Sequence, residues 1–199
     1  MTRPAEGAAA PDLVQAVIGY RQWRLHDGAL WSAYVEHRWR RGVNAATCRA
    51  EGEHGEPAPG HDCTCGLHAW YRPCPRLASP ATSPLVAGAV ALWGDIELHP
   101  TGMRAQYAMV VVLVRPALPG PKRREVAAMA ELLEVDAVPA RRLQAAARAH
   151  GAPVPAGMVP PARRSPAGEV AAAQLRATDA MSWRPSSLVS GWQPPGRPR

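Results

Sequence analysis

Phenylalanine is missing from this 199-residue chain and lysine occurs once, at Lys122. No stretch approaches the roughly 20 uninterrupted apolar residues that a membrane-spanning helix requires. Acidic residues are also short, 16 against 23 basic ones, giving a net charge of +7. Because nearly all of the basic residues are arginine and alanine, proline and glycine abound, the excess reads as the mark of a GC-rich coding sequence. The positive charge is scattered rather than blocked, so it permits an anionic partner without arguing for one. At the N-terminus Arg3 is followed by no apolar core, since Pro4, Glu6, Pro11 and Asp12 interrupt it, and a secretory signal is not expected. There is no phosphate-cradling glycine loop, no Gly-x-Ser-x-Gly elbow and no internal repeat. These absences lead to the expectation of a soluble, cytoplasmic protein.

What is present is concentrated. All four cysteines and three of the seven histidines fall between Cys48 and Cys74. Soft thiolates and borderline imidazoles packed among glycines and prolines suit a tetrahedral zinc site. In a reducing compartment such a cluster favours metal, although four cysteines would also make two disulfides. The expected ligands are Cys48, His54, Cys63 and Cys65, with Gly66 permitting the sharp turn that lets both members of a Cys-x-Cys pair reach one ion. His61, His68 and Cys74 are substitutes. Four protein ligands leave no position for water, so the zinc is expected to be structural. His54-Gly55-Glu56 resembles the His-x-Glu of zinc deaminases, but the required downstream Pro-Cys-x-x-Cys is missing. A redox role for Cys63-Thr64-Cys65 lacks the usual Cys-x-x-Cys at a helix start.

Around this loop, residues 1–12 and 152–199 read as disordered by composition, leaving one domain over 13–151 with a metal loop at 48–74. Val17 to Leu25 and Leu30 to Trp39 flank His26-Asp27-Gly28-Ala29, the signature of a hairpin with a type I′ turn. Val17, Trp23 and Leu25 share one face of the first strand, while Trp31, Ala33, Val35, His37 and Trp39 alternate along the second. Beyond a proline-punctuated connector, Pro73 to Pro84, Leu85 to His99 and Met103 to Arg115 form a second hairpin through Pro100-Thr101-Gly102. Its run from Met109 to Val114 is apolar on both faces, as a covered central strand would be. Val126, Met129, Ala130 and Leu133 make a helical stripe, and Pro139 opens a second helix that passes Leu143, Ala146 and Ala147 and closes at Gly151. The expected fold is therefore α+β: a small antiparallel sheet of two hairpins, a metal-binding loop, two C-terminal helices and a proline-rich tail.

Asp95, Glu97 and His99 share a strand face by period 2, with Arg104 and Gln106 across the hairpin. As a catalytic group they would serve a metal-dependent hydrolase; as a solvated face they need only a cross-strand acid–arginine pair. Arg21, Arg24, Arg38, Arg40 and Arg41 would have to converge on one surface for a nucleic-acid binder. The leading expectation is a non-enzymatic, zinc-stabilised adaptor for a protein partner of unassigned identity, with no membrane association.

Three segments carry a resemblance. Gly19-Tyr20-Arg21-Gln22-Trp23, Cys48…His54…Cys63-Thr64-Cys65-Gly66-Leu67-His68-Ala69, and Leu92-Trp93-Gly94…His99…Gly102-Met103-Arg104-Ala105 resemble a family of small uncharacterised bacterial proteins. That family combines a tryptophan-bearing first strand, a Cys-x-Cys-Gly signature and a Leu-Trp-Gly hairpin. The likeness spans about residues 17–150 and implies the metal loop and the β-rich core, but no substrate. His68 stands where the family commonly has tyrosine, which weighs against His68 as a ligand.

Overall fold

A computed structural model describes residues 16–48, 58–60, 63–73 and 85–161. The expected disordered residues 1–12, the candidate ligands His54, His61 and Cys74, most of the connector and residues 162–199 lie outside that set.

β1 (Val17–His26) and β2 (Ala29–Ser32) form the first hairpin. Asp27 and Gly28 take φ values of 49° and 63°, the pair of positive angles a type I′ turn demands. The second strand is shorter than its alternation suggested. After Ser32 the chain doubles back, the Ser32 amide donates to the His37 carbonyl at 2.9 Å, and β3 (Arg38–Trp39) pairs with β2. Tyr34 and Val35 at the tip are 84% and 61% exposed, so Trp31 to Trp39 is not one strand. Trp39 nevertheless reaches the core and meets Trp23 edge-on, with centroids 5.6 Å apart, an arrangement the ring quadrupoles favour.

The second hairpin is as read: β6 (Leu85–Leu98) against β7 (Gly102–Val114). Two short strands precede it, β4 (Asn44–Ala45) and β5 (Leu67–Trp70), and two follow, β8 (Asp136–Val138) and β9 (Ala152–Pro153). β8 lies parallel to β7 and β9 parallel to β1, so the expected antiparallel sheet of two hairpins is, among the described residues, a mixed sheet of nine strands. It also closes. β1 pairs with β6, β6 with β7, β7 with β5, and β5 returns to β1 through Tyr20 and Trp70. The added strands run two to four residues, too short for a period-2 pattern to stand out.

Alternation along β1 and β6 divides the core. Val17, Trp23, Val86, Val90 and Leu92 belong to one buried cluster, Ile18, Tyr20, Ala87, Ala89 and Ala91 to the other. Helix α1 (Pro121–Leu133) buries Val126, Met129, Ala130 and Leu133 in the first, the stripe expected from the 3.6-residue period. Helix α2 (Leu143–Ala147) buries Leu143 and Ala147 in the second. It is one α-helical turn between two 3₁₀ turns rather than a continuous helix from Pro139 to Gly151. Val110 to Val114 of β7, buried throughout, is covered on both faces as its composition indicated.

The fold also runs past the boundary placed at residue 151. The Ala152 amide donates to the Ala16 carbonyl at 3.1 Å, and a Cβ on Gly151 would fall 2.2 Å from that same oxygen. β9 thus falls within the stretch 152–199 that composition reads as disordered. A chain ending at residue 151 is expected to melt several degrees below one ending at 161, since β1 loses its parallel partner at one end. Coincident calorimetric transitions of the two truncations would show that β9 contributes nothing.

Candidate metal centre

Two arms of the cysteine loop meet because both are fastened to one edge of β7. β4, just before Cys48, pairs through Asn44 with Ala108 and Ala45 with Tyr107. β5, just after Cys65, pairs through Leu67 with Ala105, His68 with Arg104 and Ala69 with Met103. The Asn44 side chain fastens the first arm further, accepting from the Arg40 amide at 2.9 Å and donating to the Arg40 carbonyl at 3.0 Å.

As a result the sulfur atoms of Cys48, Cys63 and Cys65 all lie within 4.8 Å of one another. Cys48 Sγ and Cys63 Sγ are 3.6 Å apart. Two thiolates on a tetrahedral zinc, with Zn–S near 2.3 Å, stand about 3.8 Å apart, so this set could hold a metal ion. The turn just after the later pair needs glycine. Gly66 has φ 127°, and a Cβ there would meet Arg104 Cβ at 3.0 Å and Pro59 Cβ at 3.3 Å. The Gly60 amide donates to Cys65 Sγ at 3.2 Å. Burial pushes the Cys65 thiol pKa up, the Gly60 amide opposes that, and the neighbouring Cys63 and Cys48 add to it. A bound cation relieves this crowding of like charge, because the thiolate is the ligand form.

Beneath the sulfurs lies Arg104, whose side chain is 4% exposed. Nη1 donates to the carbonyls of Cys63 and of Cys65, the latter at 3.0 Å, and Nη2 to the Gly60 carbonyl at 3.1 Å. Nε donates to Glu97 Oε2 at 3.0 Å, and Nη2 reaches the same oxygen. Glu97 stands directly opposite Arg104 in the hairpin register, and its other oxygen is 3.2 Å from His99 Nε2. Tyr71 Oη donates to the His99 carbonyl at 2.7 Å.

The three residues considered as a catalytic group are thus divided. Glu97 and His99 join the Arg104 network; Asp95 stays outside it, exposed in a bulge between Trp93 and Ile96 where Gly94 takes φ 77°. His68 is not among the converging ligands: its Nε2 is 2.9 Å from the Thr64 carbonyl, with partial burial and the nearby Arg21 and Arg104 lowering its pKa. A cavity of about 760 Å³ opens elsewhere, between Arg41, Val110, Glu131, Asp136 and His150, and none of the cysteines, Glu97 or His99 lines it.

Two of the arginines considered for an anionic partner are engaged within the chain. Arg21 folds over Trp39, its guanidinium carbon 4.3 Å from the ring centroid, and donates to Ser32 Oγ at 3.1 Å. Burial lowers its pKa to about 9, which leaves it cationic at neutral pH. Arg41 pairs with Glu134.

Sequence reasoning missed Gly60 and Tyr71 as supports of this centre. Gly60 carried a faint signal, a proline-flanked glycine five residues before Cys65; Tyr71 carried none. No described helix is long and apolar enough to cross a membrane. Comparison with known protein families, curated proteins and solved structures finds no match.

Proposed function

We propose that this chain is a non-enzymatic binding protein whose cysteine loop is fixed by one structural zinc. Cys48, Cys63 and Cys65 supply three ligands, and His54, outside the described residues, completes the tetrahedron. The convergence of the three sulfurs carries this reading. Sulfur ligands favour zinc among the common divalent ions, and a closed four-ligand set is the structural kind of site. A protein partner is favoured over a substrate because the neighbouring acid and imidazole already have an occupation: Glu97 neutralises Arg104 and His99 faces Glu97. The nucleic-acid alternative finds little support, with Arg21 over a tryptophan and Arg41 paired to a glutamate. The shared Cys-x-Cys-Gly and Leu-Trp-Gly segments keep the bacterial family resemblance as part of this proposal.

Elemental analysis of freshly purified full-length protein tests it, together with ester, amide and phosphodiester hydrolysis assays before and after chelation. One zinc per chain and no metal-dependent turnover is the expected result. Protein that carries free thiols and no metal would overturn the zinc; turnover that is lost on chelation and restored by zinc would make the chain a hydrolase.

A further inference from the structure

Every nitrogen of the Arg104 guanidinium is used, and the use is asymmetric. One side grips Glu97 on the facing strand; the other grips the carbonyls of Gly60, Cys63 and Cys65. Those carbonyls define the turn from which the sulfurs of Cys63 and Cys65 project, and the Gly60 amide donates to the second of these, Cys65 Sγ. We propose that Arg104 is the positioning residue of the metal centre and that Glu97 aims it. This inference rests on the metal reading above.

The physical case is preorganisation. A loop of glycine and proline without regular strand bonds would have to be ordered by the metal itself, at a cost in conformational entropy that weakens apparent affinity. Arg104 orders the turn from the barrel side. It can do so because β5 and β6 flank β7, placing position 104 opposite His68 on one edge and Glu97 on the other. Only a planar fork with five donors reaches three carbonyls and a carboxylate together; an ammonium on a flexible stem does not. Glu97 is needed because a guanidinium this buried requires a counter-charge. Groups that orient ligands without touching the metal typically change affinity by about 10- to 100-fold when removed.

Full-length wild type, E97Q, R104K and R104A are titrated with cobalt(II), whose thiolate charge-transfer and ligand-field bands report ligand number and geometry. Affinity comes from competition with a chelator, and folding from circular dichroism. Cobalt affinity is expected to fall about tenfold in E97Q and toward 100-fold in R104K, with altered ligand-field bands. Added methylguanidinium is expected to restore part of the affinity in R104A and none in wild type. If R104K does not fold, E97Q decides alone, because Glu97 is one-third exposed and glutamine keeps an acceptor for Arg104. Folded variants with wild-type affinity and unchanged spectra would overturn the positioning role while leaving the metal centre intact. A wild-type protein that takes up neither cobalt nor zinc would instead overturn the metal reading, and this inference with it.

Discussion

On the proposed reading of one structural zinc per chain, Cys65→Ser is expected to reduce zinc content to background. The substitution removes a soft, ionisable sulfur that accepts the Gly60 amide and installs a shorter hydroxyl that stays protonated at neutral pH. Two of the three convergent sulfurs remain, too few for a stable site even with an imidazole added. Because metal binding and ordering of the ligands are one thermodynamic event, the loop should lose protection as well as metal. Elemental analysis reads the first loss, and limited proteolysis between Cys48 and Cys65 the second. Retention of zinc would place the ligands elsewhere; loss of zinc with unchanged proteolysis would mean that the Arg104 contacts suffice to hold the loop.

Gly88→Ala should be as damaging to the barrel as Cys65→Ser is to the loop. A Cβ on Gly88 would sit 2.2 Å from the Val112 carbonyl oxygen and 2.9 Å from the Trp23 ring. Trp23 is fully buried, and the oxygen belongs to the strand paired with β6, so neither can yield without moving the sheet. Overpacking of this sort costs about 3 kcal/mol, equivalent to roughly 10 °C in melting temperature for a domain of this size. Chemical denaturation of the purified variant checks it, and a midpoint within error of wild type would mean that the strands can spread locally at no cost.

Features set by neighbouring residues were legible in the sequence. The Asp27-Gly28 turn is demanded by a local backbone conformation, and the α1 stripe by a helical period that its own residues carry. The hairpin joining β6 to β7 could be counted outward from Pro100-Thr101-Gly102, which brings the Asp95, Glu97 and His99 face across from Arg104 and Gln106. What could not be read was anything depending on distant partners. β2 stops at Ser32 because β3 folds back on it, although the alternating tryptophans suggest one longer strand. β5 has four residues and no pattern of its own; its place is decided by β7 on one side and β1 on the other.

The same limit governed the candidate centre. Cys48, Cys63 and Cys65 were recognisable from ligand chemistry and the glycine that follows. Arg104 was recognisable only as half of a cross-strand ion pair, because its second grip exists only once β5 lies beside it. Asp95 was grouped with Glu97 and His99 by simple alternation, which the bulge at Gly94 interrupts.

The ring of strands is fastened unevenly. β1 and β6 share pairs from Val17 to Arg24, whereas β1 and β5 meet at Tyr20 and Trp70 alone. Spontaneous opening should begin at that weakest seam, and native-state hydrogen exchange would find the amides around it exchanging before those between β6 and β7. β5 starts two residues after Cys65, so the strand cannot swing away without drawing the Cys63 to Cys65 backbone off Arg104. Grip on the sulfurs and closure of the barrel are therefore joined in series, like a clasp and the band it fastens.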